Sequence, residues 1–397
     1  MSRAPGSSEQ PQSDQRQIDS AFGGARHTEV DALKRAEHRV KHAAFALLRP
    51  FLKLGRQPNE PYDGSRLRRF LLLRPESKLG DLAISLPTVD YLKSCFPDAE
   101  IGLFCSPGNA ILVRDDPRFD RVWLYRKRLF IDLGELRRIR ERHYDCIIDL
   151  LCDDSVTSLA ISQWASKDSP RLGTAKLSFS RYYDATGLTL FDPGRHIIMN
   201  TLGILRGLDL DPSRADPYAQ PYVDSGRLER ADGFIDSIIE PDDRMLVGLN
   251  LSAGTISRDW GPEKPVAFIR RLFKSHPAAR VVVFSTPSDR EKGRRVTGQF
   301  KSRVHLIPDR LDILTVAAIL RRLSVLVTPD TAVVHIARSY KVPIISLMPG
   351  HPRNRSLWAP FGQKRGAVMA ATPANIYDIS VEQAWSEFLA VAHEFAL

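Results

Sequence analysis

The sequence predicts an α/β protein in which two parallel β-sheets, one in each half of the chain, are flanked by helices. Short apolar runs alternate with amphipathic stretches along the chain, and this alternation is typical of βαβ units. Many of the runs are β-branched and apolar on both faces, as strands buried inside a parallel sheet require. The alternation stops after about residue 210 and starts again near residue 242. We therefore expect two Rossmann-like domains, at residues 65–215 and 242–375.

The individual elements are assigned in chain order. The first half contains the strand candidates RFLLLR, EIGLFCS, RVWLY and YDCIIDLLC, with PTVDYLKSCF and DLGELRRIRER as helices between them. The second half contains MLVGLNLS, RVVVFST, VHLIP, VLVTP and VPIISLMP, separated by helices such as VAFIRRLFKSH and ILTVAAILRRL. The Pro- and Asp-rich segment DPSRADPYAQPY ends the first series, and residues 380–397 are expected to form a closing helix.

The N-terminal segment has a different character. Residues 1–28 contain almost no large apolar side chains, which predicts a disordered tail. In residues 29–57, apolar side chains recur at helical spacing among Lys and Arg residues, which predicts a basic amphipathic helix. Such a helix can lie on an anionic membrane surface, or it can pack its apolar stripe on the neighbouring domain. The sequence leaves both interpretations open.

Composition narrows the functional classes. The chain has 397 residues, of which 43% are hydrophobic and 26% charged, so it has ample material for a core. No apolar run is long enough to span a membrane and no secretory signal precedes the first domain, so we expect a cytoplasmic protein. The four cysteines lack CxxC spacing, which favours free thiols over zinc or disulfides.

The formal net charge of +10 suggests an acidic partner, and nucleic acid, anionic lipid and a phosphate-bearing substrate are all candidates. The basic residues are spread along helices without interleaved aromatic residues or a recognisable nucleic-acid-binding module. This distribution makes a nucleic-acid-binding protein the weaker alternative.

Two loops that follow a first strand carry candidate chemistry. In RPESKLGDLAISLP, residues 74–87, we expect Gly80 to permit a tight turn and Asp81 to lie at a helix start, as a proton acceptor or as an ordinary N-cap. In NLSAGTISRDWGPEKP, residues 250–265, small residues allow backbone N–H groups to approach a phosphate, and Arg258 can bind its oxygens. The candidates for phosphate contact in this loop are Ser252, Gly254, Thr255 and Arg258. Neither a Walker motif nor GxGxxG occurs after these strands, which disfavours a P-loop enzyme and a dinucleotide dehydrogenase.

A third group, DTAVVH, follows the buried strand VLVTP. Asp330 and Thr331 are predicted at the carboxyl end of a strand and the start of a helix, where ligands bind in open α/β sheets. The alternative is that Thr331 or Asp330 caps the helix and that His335 is a packing residue.

Together these segments resemble the heptosyltransferases of glycosyltransferase family 9. The resemblance extends from about Leu67 to Pro360, and its motifs occur in the family's order. The matching residues are Leu79-Gly80-Asp81 with Leu86-Pro87, then Gly254 with Arg258-Asp259-Trp260, and finally Asp330-Thr331-Ala332-Val333-Val334-His335 with Val342-Pro343. Three residues differ in kind from the family pattern: Arg258 replaces Lys, Ala332 replaces Gly, and Glu76 stands in a loop where Ser or Thr is usual.

The resemblance implies the GT-B arrangement, in which the two Rossmann-like domains face across a cleft. It implies an inverting, metal-independent transfer of heptose from ADP-heptose to a lipopolysaccharide core or similar anionic glycolipid, at the cytoplasmic face of the inner membrane. No cofactor is expected, and the adjacent pair Asp153-Asp154 is read as helix capping rather than as a magnesium site. An inactive sugar-nucleotide-binding module remains the main alternative.

The resemblance also assigns roles to residues. Asp81 becomes the catalytic base, and Arg258, Thr255 and Thr331 become contacts of the leaving diphosphate. His335 is expected to donate to a phosphate or ribose oxygen, and Asp330 to orient the turn or bind the ribose. The remaining donor-side residues are Ser252, Gly254 and Ala332, and the acceptor-side residues are Arg74, Lys78 and Gly80.

Overall fold

The computed structural model describes residues 45–46, 49–55, 62–166, 168–173, 176, 178–184, 191–300, 302–351 and 353–397. The predicted tail at 1–28 and most of the predicted helix at 29–57 lie outside these residues. The chain divides into two compact units, residues 1–53 and 54–397. The fold and the sites below belong to the second unit. None of the helices in the described ranges combines the length and the apolar character needed to cross a membrane.

The first sheet has five parallel strands in the order β3-β2-β1-β4-β5. Four of them lie where the apolar runs predicted strands. The fifth was missed because RLG is too short to show a strand pattern. The strands are β1 (Arg69–Arg74), β2 (Glu100–Cys105), β3 (Arg121–Leu124), β4 (Cys146–Asp149) and β5 (Arg171–Gly173).

The second sheet has six parallel strands in the order β11-β10-β9-β6-β7-β8, which is the doubly wound order of dinucleotide-binding domains. Its last strand was not predicted. The strands are β6 (Met245–Asn250), β7 (Ala279–Phe284), β8 (Val304–Leu306), β9 (Val325–Pro329), β10 (Ile344–Met348) and β11 (Ala367–Met369). The predicted fold class, α/β with two parallel sheets, is confirmed.

Helices connect the strands in both halves. Those of the first half are α1 (Leu79–Cys95), α2 (Pro107–Ala110), α3 (Leu129–Glu141), α4 (Val156–Ala165) and α5 (Ile197–Gly203). They are followed by α6 (Ser225–Ile238), α7 (Glu263–Ser275), α8 (Arg290–Thr297), α9 (Ile313–Leu320), α10 (Ala332–Ser339), α11 (Asn354–Trp358) and α12 (Val381–Phe395). Alternate residues of β1 point to opposite faces of the first sheet. Leu71 therefore packs in the core that includes Ile139 of α3, and Leu72 in the core that includes Leu82 of α1.

The segment between the two predicted domains contains a regular element. Helix α6 packs on α9 of the second half, and Asp232 of α6 forms ion pairs with Arg321 and Arg322 just after α9. Its buried residues Ala231 and Ile235 join the core. The connection between the sheets is therefore held on the second half rather than left as an open linker.

Each sheet has a switch point, where neighbouring strands lead in opposite directions across the sheet. It lies between β1 and β4 in the first sheet and between β6 and β9 in the second. The loops after these four strands diverge and leave a crevice at the carboxyl edge. Helix α1, which follows β1, packs on α10, which follows β9. The two crevices are thereby brought side by side.

Candidate active site

The loop after β1 is organised by a buried arginine. Arg74 is 3% exposed; its Nε donates to Ser85 Oγ at 3.0 Å and one terminal nitrogen donates to Glu76 Oε1 at 2.7 Å. Burial opposes the charge of Arg74, but the carboxylates of Glu76 and Asp81 raise its pKa above the ordinary value. Arg74 thus links the end of β1 to the second turn of α1.

Asp81 does not cap α1, contrary to the alternative that its position allowed. Helix α1 begins at Leu79, and its N-cap position is occupied by Lys78, whose side chain makes no capping bond. Asp81 lies in the first turn, where a carboxylate is favoured by the helix dipole. Its Oδ2 is 3.8 Å from Lys78 Nζ, and its side chain is 20% exposed. The carboxylate is therefore accessible from solvent.

The prediction that Gly80 permits a tight turn is wrong, because Gly80 lies inside α1. It is small for another reason. A Cβ at this position would lie 3.1 Å from Ala332 Cα and 3.0 Å from His335 Cδ2, closer than ordinary van der Waals contact. Gly80 therefore allows the first turns of α1 and α10 to meet, and it does not line the cleft beside Asp81.

A cleft of about 190 Å³, here called the first cleft, opens beside Asp81. Arg74 and Lys78, both expected on the acceptor side, line it together with Asp81. Two of its residues come from α11 in the second half, and the sequence did not indicate them. Its lining residues are Arg74, Glu76, Lys78, Asp81, Ile84, Leu151, Cys152, Asp153, Phe191, Ile197, Leu357 and Trp358.

Glu76 gives the first cleft an incompletely paired carboxylate. One oxygen accepts from Arg74, whereas Oε2 is buried without a hydrogen-bond partner among the residues that the structure describes. Burial raises the pKa of Glu76, and the pairing with Arg74 only partly offsets this effect. The positive charge of Arg74 is therefore partly compensated by the carboxylate of Glu76.

A buried cluster of polar side chains, which the sequence did not indicate, holds the loop after β4 beneath the first cleft. Lys176 Nζ lies 3.0 Å from Asp149 Oδ2, and both side chains are fully buried. The same ammonium donates to the backbone oxygens of Leu151 and Asp153 at 2.8 and 2.7 Å. The hydroxyl of Tyr183 donates to Asp149 at 2.6 Å. The cluster fixes the loop after β4, whose residues line the cleft.

The pair Asp153-Asp154 does not cap α4, so the predicted capping role is wrong. Ser155 is the cap and accepts from the backbone N–H of Ser158. The Asp154 carboxylate instead accepts from the backbone N–H of Ser178 at 2.7 Å. Within the residues that the structure describes, no group of three or more His, Cys, Asp or Glu side chains is arranged to hold a metal ion.

A larger cleft of about 460 Å³, here called the second cleft, lies at the carboxyl edge of the second sheet. The predicted residues Ser252, Gly254, Arg258, Thr331 and Ala332 line it. Gly254 has φ of +66°, a left-handed conformation that favours glycine. Apolar residues from the end of β7, the loops after β7 and β8, and the start of α9 also line it, namely Phe284, Pro287, Ile307, Pro308, Leu311, Ile313 and Val316.

Asn250, which was not predicted as a site residue, holds the loop after β6. Its Nδ2 donates to Ser252 O at 3.1 Å and to Thr328 Oγ1 at 3.0 Å, and it reaches Thr331 Oγ1 at 3.4 Å. Ser252 Oγ in turn accepts from the backbone N–H of Thr286 at 2.7 Å. Three loops of the second cleft are thereby linked through short polar side chains.

Arg258 is positioned by Asp330. One terminal nitrogen donates to the backbone oxygen of Asp330 at 2.5 Å, and the other lies 3.3 Å from its carboxylate. Burial raises the pKa of Asp330, Arg258 lowers it, and the charge of Asp81 raises it further. Asp330 does not line the second cleft, and its contacts are with Arg258. Its two expected roles, orienting the turn and binding the ribose, stay predictions.

Thr331 occupies the N-cap position of α10, but its side chain makes no capping bond. The capping alternative is therefore wrong for this residue. Ala332 and Val333, the first residues of α10, line the second cleft beside Thr331. The amino end of α10 consequently faces this cleft, as an anion site requires.

Two predicted donor contacts are placed elsewhere. Thr255 is exposed, its hydroxyl contacts that of Ser257 at 3.1 Å, and it does not line the second cleft. His335 is 4% exposed and lies beneath α1, with its ring 5.8 Å from that of Trp358 between centroids. Burial lowers the pKa of His335 well below its ordinary value. As the alternative held, His335 is a packing residue at the junction of α1 and α10.

The comparison with protein families decides the classification of the chain. Residues 135–379 match the model of glycosyltransferase family 9 (heptosyltransferase). The chain belongs to this family. The resemblance is confirmed, and the protein is a glycosyltransferase. The matched range begins within α3 and leaves out the loop that carries Asp81.

Solved structures show the same fold. Similar chains include a family 9 glycosyl transferase from Veillonella parvula, with 16% identity, 82% of this chain and 97% of that chain covered, and a TM-score of 0.66. E. coli ADP-heptose lps heptosyltransferase II has 16% identity, coverage of 83% and 100%, and a TM-score of 0.61. E. coli heptosyltransferase WaaC with ADP-2-deoxy-2-fluoro heptose has 17% identity, with 81% of this chain and 99% of that chain covered, and a TM-score of 0.60. The glycosyltransferase therefore has the GT-B fold. A search of curated proteins gave no significant match.

Proposed function

We propose that this glycosyltransferase moves a heptose from ADP-heptose to a glycolipid of the lipopolysaccharide core type, with inversion and without a metal ion. The observation that carries the proposal is the placement of Asp81. Its carboxylate lines the first cleft and is close enough to Asp330, beside the second cleft, to raise the pKa of that residue. A base in this position can serve an acceptor in one cleft and a donor in the other.

The proposed donor occupies the second cleft. The volume of this cleft, about 460 Å³, lies within the roughly 300–1,000 Å³ of pockets for small-molecule ligands. The apolar residues after β7 and β8 provide a surface for a flat base. The diphosphate is assigned to Gly254, Arg258 and the amino end of α10. ADP-heptose is preferred because a related structure contains an ADP-heptose analogue.

The proposed transfer needs a proton acceptor and a stabilised leaving group. Asp81 accepts the proton of the acceptor hydroxyl as its oxygen forms a bond to the anomeric carbon. The bond from that carbon to the diphosphate breaks, and its electron pair leaves with the diphosphate. Arg258 and the N–H groups at the start of α10 stabilise this charge. The side-chain cation would take the place of a metal in this step.

A thermal-shift panel of ADP-, UDP-, GDP- and CMP-sugars tests the donor assignment. A ligand present at 100 times its Kd stabilises the folded protein by about 2.7 kcal/mol. We expect ADP-heptose to raise the melting temperature more than sugars linked to the other nucleotides. A shift only with UDP- or GDP-sugars would overturn ADP-heptose as the donor.

The proposed acceptor is membrane-bound, so the enzyme is proposed to work peripherally at the cytoplasmic face of the inner membrane. The predicted basic helix at 29–57 is one candidate for contact with that surface. Deletion of residues 1–53, the first compact unit, tests it: donor binding should persist while association with anionic vesicles falls.

A further inference from the structure

The outer surface of α3 and α4 combines exposed apolar side chains with cations. Ile131, Leu133 and Trp164 are 44%, 47% and 43% exposed. Between residues 126 and 142 the chain has seven basic and three acidic residues. Helix α4 has no charged side chain. We name the exposed side chains of Leu133, Arg137, Arg140 and Trp164 the α3–α4 surface.

The members of this surface are adjacent in space. Trp164 Nε1 donates to the backbone oxygen of Leu136 at 3.2 Å, and the guanidinium of Arg140 lies 4.8 Å from the Trp164 ring. Leu133, Leu136 and Arg140 are spaced three and four residues apart, so they share one side of α3. The indole therefore continues the exposed side of α3 onto α4.

The three acidic residues between positions 126 and 142 offset only part of the positive charge near the α3–α4 surface. Asp132 is buried, and its carboxylate accepts from the backbone N–H groups of Arg126 and Arg128. Glu141 pairs with Arg137 at 2.8 Å, and Glu135 pairs with Arg126 at 3.4 Å and with Arg138 at 3.9 Å. Arg140 contacts the Trp164 ring rather than a carboxylate, and the side chains of Lys127 and Arg128 are exposed. The surface keeps an excess of cations next to its apolar side chains.

The surface starts at the edge of the sheet where the first cleft opens. In the strand register, Arg74 at the end of β1 lies opposite Cys105 of β2, and Cys105 lies opposite Leu124 of β3. Two strand spacings, about 10 Å, therefore separate the strand end below the first cleft from the strand end that leads into α3. A lipid that carries an acceptor sugar in the first cleft could keep its chains in a bilayer beside α3.

We propose that the α3–α4 surface docks this glycosyltransferase on an anionic lipid bilayer. The exposed Leu side chain inserts at the boundary between headgroups and acyl chains, Trp favours the same depth, and Arg side chains bind the headgroup phosphates. The inference rests on the proposed glycolipid acceptor for its biological role. The docking itself does not depend on the identity of donor or acceptor.

Vesicle co-sedimentation of the full chain tests the docking. The probes are phosphatidylcholine vesicles and vesicles that contain about one third phosphatidylglycerol, an anionic lipid that attracts basic surfaces. We expect binding to the anionic vesicles, weakened about tenfold in the double variant Leu133→Gln/Trp164→Gln and similarly in Arg137→Gln/Arg140→Gln. The charge variant keeps the test valid if loss of Trp164 impairs folding.

Matched controls lie in the second half. Arg270→Gln/Lys274→Gln removes two exposed cations from α7, where the neighbouring large apolar side chains are not exposed. Leu389→Gln removes an exposed leucine, 46% exposed, from α12. Both controls should bind anionic vesicles as the wild type does.

Three results would overturn the proposal. The full chain could fail to bind anionic vesicles, or both double variants could bind as tightly as the wild type. Alternatively, light scattering could show that the wild type self-associates and that the variants are monomeric with unchanged vesicle binding, which would assign the surface to a second copy. The nucleotide-sugar thermal shifts are measured separately, so failure of the docking is distinguishable from failure of the donor assignment.

Discussion

The two clefts of this glycosyltransferase differ in charge although both lie at switch points of parallel sheets. Three arginines and one aspartate line the second cleft, namely Arg258, Arg290, Arg310 and Asp309. Two cations and three carboxylates line the first, namely Arg74, Lys78, Glu76, Asp81 and Asp153. An excess of cations suits a diphosphate, whereas carboxylates suit hydroxyl groups and proton transfer. The difference supports a division of labour in which one cleft stabilises the leaving group and the other activates the acceptor.

The largest effect is expected from Asp81→Asn. The amide keeps the size of the side chain but cannot accept the proton, so the transfer rate should fall by about 10² to 10⁴. Donor affinity, measured by calorimetry, should remain within about twofold of the wild type because Asp81 does not line the second cleft. Equal rates in both proteins would remove Asp81 as the base, and a wild type without turnover would favour the inactive binding module.

The charge of the second cleft is tested by Arg258→Ala. We expect the affinity for ADP to fall about 10²-fold while the affinity for adenosine changes little, because the loss concerns contacts to the diphosphate. Arg258→Lys serves as the matched control, since it keeps the charge and loses the fork that reaches Asp330. An equal loss of ADP and adenosine affinity would contradict the phosphate role.

The stability of the contact between α5 and the backbone at Ala359 should depend on pH through His196. This residue caps α5 by accepting from the backbone N–H of Ile198 at 3.2 Å, and its other nitrogen contacts the backbone oxygen of Ala359 at 2.9 Å. Burial lowers its pKa from 6.5 to about 4. The unfolded chain therefore binds a proton more readily, and the stability that His196 contributes above about pH 6.5 is lost as the pH falls towards 4.

In free energy of unfolding, this loss is about 3 kcal/mol between the two pH limits. The variant His196→Gln has no such titration and should lose correspondingly less stability over the same range. Urea unfolding of both proteins at neutral pH and near pH 4.5 gives the difference. The same decrease in the variant would show that other groups account for the acid sensitivity.

The smallest effect concerns Glu76, whose charge offsets that of Arg74 in the first cleft. Glu76→Gln should raise the kcat/KM for a carboxylate-bearing glycolipid acceptor about fivefold, since one repulsive charge near a partly exposed site is worth about 1 kcal/mol. A neutral acceptor should show little change, and Glu76→Asp should behave like the wild type. If neutral and anionic acceptors responded alike, the charge of the first cleft would not select the acceptor.

The fold class and the strands that precede the candidate site could be predicted from the sequence alone. The runs RFLLLR, MLVGLNLS and VLVTP are long and apolar enough to identify β1, β6 and β9, and the segments that follow these strands contain the candidate site residues Asp81, Arg258 and Thr331. These predictions succeeded because burial inside a parallel sheet imposes a pattern on consecutive residues. The short strands β5 and β11, with three residues each, cannot show such a pattern.

The grouping of side chains in each cleft follows from the packing of separate elements. Trp358 reaches the first cleft from the other half of the chain, and Lys176 joins Asp149 across 27 residues of sequence. Gly80, Ala332 and His335 have their roles because α1 and α10 touch. Contacts of this kind depend on how separate elements pack, which local sequence patterns do not encode. The motifs therefore indicated the candidate site, whereas the packing of the elements placed His335 in the interior and Arg258 in contact with Asp330.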